Sequence, residues 1–341
     1  MNDEIRYYDP LQKPFRIYGL IVPGETEERF CRIPTAVAET VSDGVAYLNR
    51  NTSGGRIRFQ TDSARLSLKA FYPLSVAMGH FAQSGVSGFS IYVTRDGEQV
   101  FAGMLTPDRQ TEFEGSVDLP GGGMKEITIY MPLYNGVDKV LVGLDASAQV
   151  QPDSGYDHEK PVVFYGSSIT QGGCVSRPGS EYAAILSRRL RFDYINLGFS
   201  GSAKGERPMA EYIKTLPMRA FVMDYDHNAP TPEFLAQTHE PFFRVIRDAC
   251  PELPVVFISR PDSDRSDDNR RRFAVIRKTY ENALQSGDKN VYLIDGATFF
   301  DDALPWNDPT VDRVHPTDLG FCLMAQGIEP VLKAVLQNAA Q

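Results

Sequence analysis

The strongest constraint on how this chain folds is a change in its hydrophobic rhythm near residue 160. Beyond it, runs of four nearly all-apolar residues recur at Val162–Tyr165, Tyr194–Leu197, Ala220–Met223, Val255–Ile258 and Val291–Ile294. Stretches of helical character follow them, near Glu181–Arg191, Met209–Leu216, Pro232–Ala249, Asn269–Gln285 and Asp318–Gln337. A strand that is apolar at consecutive positions points apolar side chains to both faces of its sheet, so both faces must be covered. Alternation of such strands with helices predicts an α/β unit with a parallel sheet flanked by helices.

Before residue 160 the pattern is different. Short alternating runs occur at Arg56–Gln60, Arg65–Lys69, Phe89–Val93, Thr111–Gly115 and Lys125–Tyr130, separated by turn residues such as Asn51–Gly55, Asp96–Gly97 and Pro120–Gly123. Many short strands without long helices predict a β-sandwich of jelly-roll character. The polar, Pro- and Gly-bearing segment Ser147–Lys160 reads as a linker. The chain of 341 residues is then expected to hold two domains, 1–150 and 151–341.

Composition narrows the partners. With 35 basic and 44 acidic side chains the net charge is −9, which disfavours a general nucleic-acid binder and favours neutral or cationic substrates over polyanions. No eighteen-residue stretch is uninterruptedly apolar, so a membrane span is not expected. The first residues lack a cationic start followed by an apolar run. The four cysteines, Cys31, Cys174, Cys250 and Cys322, are far apart and read as reduced thiols. A cytoplasmic location is therefore expected, with secretion left open.

In open parallel sheets, sites form beyond the carboxyl ends of the strands. There the chain carries Gly166–Thr170 after the first apolar run, Asn196–Gly201 at the second and Asp224–Asn228 after the third, with Asp312–His315 before the last helix. A serine hydroxyl needs an imidazole to take its proton, and the imidazole needs an acid on its other nitrogen. Three residues apart, Asp312 can reach the near nitrogen of His315 while the far nitrogen faces Ser168. The developing oxyanion needs fixed donors, and the N–H of Ser168, the N–H of Gly201 and the amide of Asn228 are candidates. Gly201 would let the backbone approach the substrate without a Cβ. This chemistry requires no cofactor and no metal.

These four segments resemble the SGNH hydrolases, or GDSL-type esterases. The family's Gly-Asp-Ser block corresponds to Gly166-Ser167-Ser168, its second-block glycine to Gly201, its third-block asparagine to Asn228, and its Asp-x-x-His-Pro block to Asp312–Pro316. Ser167 stands where Asp is usual, and the third block lacks its usual Gly and the Asp after Asn. The resemblance spans about 161–337 and implies a three-layer α/β/α hydrolase domain with Ser168, His315 and Asp312 as its triad. The segment Val45–Phe59, with Thr61–Ser63, resembles the β-sandwich that precedes a subset of bacterial SGNH hydrolases. That module's Gly-x-Asp-Leu-Tyr signature corresponds to Gly88–Tyr92, with Ser90 in place of Asp. This second resemblance implies an esterase for small acyl groups, acetyl on sugars among them, or an acyltransferase. A small-molecule or carbohydrate ester is the expected partner. An inert, carbohydrate-binding hydrolase fold is the rival from another class; it would be favoured by a missing nucleophile or base, and neither is missing.

Each residue also has a plainer reading. Ser168 can be a turn cap, Asp312–His315 a surface pair, Gly201 a loop glycine and Asn228 a turn amide. Asp224, Asp226 and His227 match no metal-site spacing, and a loop-structuring carboxylate is expected among them. The charged run Asp262–Arg272 reads as a solvated loop entering a helix. His80, in a loop of the sandwich, and Trp306, six residues before Asp312, are candidates for substrate contact or for ordinary packing. The sequence leaves the oligomeric state open.

Overall fold

The computed structural model describes residues 4–24, 26–300 and 308–338. The chain divides into two compact units, each drawn from separate stretches. One takes the residues up to Pro34 together with Asn49–Asp157 and Gly173–Ser180; the other takes Thr35–Leu48, His158–Gly172 and the chain from Glu181 onward.

The first unit is a β-sandwich. One sheet has four antiparallel strands in the order β1 (Ile5–Tyr8), β9 (Lys139–Asp145), β4 (Arg65–Phe71), β7 (Glu112–Asp118). The other runs β10 (Val150–Gln151), β3 (Arg56–Thr61), β8 (Lys125–Tyr130), β5 (Phe89–Arg95), β6 (Glu98–Leu105), with β2 (Arg16–Tyr18) also on the edge of β3. Alternate residues point inward, as a two-residue side-chain period requires. Ile57, Phe59, Ile91, Val93, Ile127 and Ile129 from one sheet meet Leu66, Leu68, Val140, Val142 and Leu144 from the other in one buried cluster. Full burial of each such side chain contributes about 1.5–3 kcal/mol.

The segment read as a linker is stitched to this sandwich. Val150 and Gln151 pair with Thr61 and Gln60. The buried Asp153 carboxylate accepts the Tyr18 hydroxyl at 3.0 Å, and Arg58 donates to the Gly155 carbonyl at 3.0 Å while lying 4.3 Å from the Tyr156 ring. Its polarity reflects what it covers: a strand edge that needs backbone partners and a buried guanidinium that needs acceptors.

The second unit holds five parallel strands: β11 (Val162–Gly166), β12 (Tyr194–Gly198), β13 (Ala220–Asp224), β14 (Val255–Ile258) and β15 (Val291–Ile294). Their spatial order is β12-β11-β13-β14-β15, all in parallel register. Strand order reverses at β11, and ligand crevices form at such a switch point. The longer helices are α5 (Tyr182–Leu190), α7 (Pro232–Ala249), α8 (Asp267–Gln285) and α9 (Asp318–Asn338), with shorter α4 (Ser168–Gln171) and α6 (Arg207–Ile213) between. Thr231 and Ser266 cap α7 and α8 by accepting the N–H groups of Phe234 and Asn269, each cap contributing about 1 kcal/mol. The charged run Asp262–Arg272 thus enters α8 through a capped start. Helix α9 has the length and mean hydropathy of a membrane-crossing segment, 1.4 over its apolar window. Its stripe of Phe321, Met324, Ala325, Ile328, Leu332 and Val335 is buried, as in the core helix of a globular unit.

Besides the four-residue α4, two further helices of this unit were not expected from sequence. They are α1 (Thr35–Val41) and α2 (Asp43–Leu48), and α1 packs on α6. They are short, of seven and six residues, and Ala38 and Val45 are their only fully buried residues.

Candidate active site

The site is assembled at the carboxyl end of β11, within the second unit. Gly166 ends the strand against Asp224 of β13 and Gly198 of β12. A Cβ at Gly166 would run into the Thr170 hydroxyl and the Asp224 carbonyl, so only glycine permits the close turn into α4. Ser167 caps α4 by accepting the Ile169 N–H at 3.2 Å. Serine here does what the family's aspartate can do at an N-cap. Ser168 is the first helical residue, and its hydroxyl lies 2.9 Å from His315 Nε2.

His315 comes from a tight loop before α9. The loop closes through Val311 N–H to the His315 carbonyl at 2.8 Å and Thr317 N–H to the Pro309 carbonyl at 2.8 Å, with Arg313 in the left-handed region at φ 71°. Inside it, Asp312 uses both oxygens. One accepts the backbone N–H groups of Val314 at 3.1 Å and His315 at 2.8 Å, and the other lies 2.7 Å from His315 Nδ1. Burial pushes the Asp312 carboxyl up, but these N–H donors and the imidazole outweigh it and hold it below the usual carboxylate range. The loop therefore presents an ionised acid to one ring nitrogen and leaves the other facing Ser168.

Gly201 and Asn228 also meet. Gly201, at φ +65°, follows β12, and Asn228 ends a short 3-10 turn, Asp226–Asn228, after β13. A Cβ at Gly201 would meet open space, so the left-handed backbone rather than crowding calls for glycine. Gly201 N–H donates to Asn228 Oδ1 at 3.2 Å, and Asn228 Nδ2 donates to the Phe199 carbonyl at 2.9 Å. In this arrangement one of the expected donors is held by the other. A neutral amide oxygen at 3.2 Å is a weak acceptor, and an oxyanion forms hydrogen bonds roughly twice as strong.

Beneath α4 lie residues that sequence reasoning did not assign. Asn196 is fully buried; it donates to the Thr170 carbonyl at 2.7 Å and accepts Gly198 N–H at 2.9 Å. Gln171 accepts Ser200 N–H at 3.0 Å. Asp224, which with Asp226 was one of two candidates for a loop-structuring carboxylate, accepts the Thr170 and Tyr182 hydroxyls on one oxygen. The threonine of the Gly166–Thr170 block was the available signal. Of the two further candidates, His80 is exposed in a loop of the sandwich unit, and Trp306 lies outside the described residues.

Residues 159–333 match the GDSL-like Lipase/Acylhydrolase family, and residues 5–150 match the N-terminus of the Esterase SGNH hydro-type, called GxDLY. A Bacteroides ovatus protein described as a GDSL-like lipase is similar over 98% of both chains, with 28% identity and a TM-score of 0.87. A salicylyl-acyltransferase from a tetracycline biosynthetic pathway is similar over 97% of both chains, with 20% identity and a TM-score of 0.79. An acetyl xylan esterase of Butyrivibrio proteoclasticus is similar over 98% of this chain and 99% of its own, with 14% identity and a TM-score of 0.60. Among curated proteins no match is found. The chain belongs to the GDSL-like lipase/acylhydrolase family, carries that family's GxDLY-type N-terminal domain, and is an ester-hydrolysing enzyme.

Proposed function

We propose that this enzyme is a serine esterase for small acyl esters, acetyl first among them, carried on carbohydrate alcohols. Ser168 is the nucleophile, His315 the base and Asp312 its partner. The observation that supports this most is the unbroken relay from Asp312 Oδ2 through the His315 ring to the Ser168 hydroxyl, with steps of 2.7 and 2.9 Å. His315 Nε2 takes the Ser168 proton as the oxygen attacks the acyl carbon, and Asp312 stabilises the imidazolium. Gly201 N–H exchanges Asn228 Oδ1 for the developing oxyanion, alongside a proton of Asn228 Nδ2 and the Ser168 N–H. The imidazolium then protonates the leaving alcohol, and water, deprotonated by the same ring, releases the acid. The likeness to an acetyl xylan esterase supports a sugar-borne acetyl group.

The test is turnover of p-nitrophenyl acetate by the purified protein and by Ser168→Ala. The reading requires the variant's kcat to fall by several orders of magnitude; equal rates would refute it. A second reading is favoured by the full-length likeness to an acyltransferase: the acyl-enzyme passes its group to an alcohol rather than to water. Mass analysis of products formed with and without a sugar acceptor separates the two.

A further inference from the structure

Helix α4 carries the proposed nucleophile but has only four residues, Ser168–Gln171, too few to hold a helical shape alone. Its geometry must come from outside. On the side of β13 the tie is Asp224, at the strand's last residue and 3% exposed. One carboxyl oxygen accepts the Thr170 hydroxyl at 3.1 Å and the Tyr182 hydroxyl at 3.0 Å, and those two hydroxyls lie 3.3 Å apart. Thr170 and Tyr182 are fully buried. The Asp224 carbonyl accepts Ser167 N–H at 3.1 Å, so the same residue grips both the entrance and the middle of α4. Among the described residues no ion pair includes Asp224, and the proposed proton relay does not use it.

We propose that Asp224 is a positioning residue for the Ser168 hydroxyl, acting through Thr170 and Tyr182. The inference rests on the esterase reading of Ser168. Only Ile169 separates Thr170 from Ser168, so a shift of the Thr170 anchor rotates the first turn of α4. That rotation moves the Ser168 hydroxyl from the 2.9 Å contact with His315. A misplacement of about 1 Å can cost about a hundredfold in rate. Burial, with Asp226 nearby, pushes the Asp224 carboxyl well above its usual range. An amide is therefore the fitting mimic: uncharged, of the same shape, and with one oxygen able to accept both hydroxyls.

The experiment measures the rate of Ser168 labelling by a fluorophosphonate, with the adduct located by mass spectrometry, and kcat and KM for p-nitrophenyl acetate. The full chain is used as wild type, Asp224→Ala, Asp224→Asn and Thr170→Val. The expected result is a 10- to 100-fold fall in labelling rate and kcat for Asp224→Ala, with KM within about threefold. Asp224→Asn restores both rates to within about threefold of wild type. Thr170→Val, which keeps the side-chain shape and removes the link, falls about tenfold and serves where Asp224→Ala does not fold. Wild-type rates in Asp224→Ala or Thr170→Val, or an Asp224→Asn as impaired as the alanine variant, would overturn the positioning role alone. A wild-type protein that takes no label at Ser168 would overturn the esterase reading, and this inference with it.

Discussion

Asp312 spends one oxygen on the backbone of its own loop and the other on His315, so its two functions can be separated. An Asp312→Asn amide can still accept the loop N–H groups through its oxygen. Its NH2 then faces His315 Nδ1 and selects the wrong ring tautomer. We expect kcat to fall by roughly 10³–10⁴ with KM little changed, read from steady-state kinetics, and the melting temperature to stay near wild type. Asp226 makes a different prediction. It is 1% exposed, one oxygen accepts Arg260 N–H, and burial pushes its carboxyl up to about 6 against the pull of Arg260 and Arg272. The folded form binds this proton more tightly than the unfolded chain does. Its contribution is therefore complete below about pH 4 and is lost as pH rises through about 6, on the order of 2–3 kcal/mol. Denaturant titrations at pH 4, 6 and 7.5 should show this slope in wild type and a flatter one in Asp226→Asn. Ser90, standing where the related N-terminal domains have Asp, is fully buried, and its hydroxyl has no hydrogen-bond partner among the described residues. Ser90→Ala should raise stability by about 1 kcal/mol, measured as a shift in denaturant midpoint, because it removes an unpaired buried hydroxyl.

At the level of elements, two glycines of the site should answer alanine differently. At Gly166 the new methyl meets the Thr170 hydroxyl and the Asp224 backbone, which cannot give way without moving β13. Gly166→Ala should destabilise by more than about 3 kcal/mol or fail to fold. At Gly201 the methyl meets open space and the cost is the left-handed backbone, about 1–2 kcal/mol. Thermal melts of the two variants should separate them widely. The same elements show why some of this architecture was legible in the sequence and some was not. The five strands of the parallel sheet were visible because their apolar runs are continuous, with β11, β13 and β14 buried at every position and the edge strands β12 and β15 partly so. Strand β6 was not read, since Val100 and Phe101 are adjacent, both apolar and both exposed, and the pairing with β5 slips at Ile91/Tyr92. Ser168, Asp312 and His315 could be named as candidates from the sequence because the chemistry expected of them depends on residue type in short local blocks. Asp224's role was hidden because its partners lie 54 residues before it in Thr170 and 42 before it in Tyr182, and only the fold closes those distances.

At the scale of the molecule, sequence order and compact units do not coincide. Helices α1 and α2 are encoded between strands of the sandwich but belong to the unit of the parallel sheet, where α1 packs on α6. A fragment of residues 151–341 would therefore lack part of its own unit and leave the face of α6 bare. We expect that fragment to unfold without a cooperative transition by circular dichroism, or to be cut rapidly by protease, under conditions where the full chain is resistant. Coexpression with residues 1–150 should restore resistance if the missing helices are the cause.

The placement of α1 and α2 also has a consequence in time. On the ribosome they emerge roughly 160 residues before α6, which at about 5–20 residues per second is a delay of roughly 8–30 s. Throughout that interval the nascent chain carries a helical pair whose partner has not been made. Only Ala38 and Val45 of that pair are fully buried in the finished unit, so the surface that waits for its partner is small.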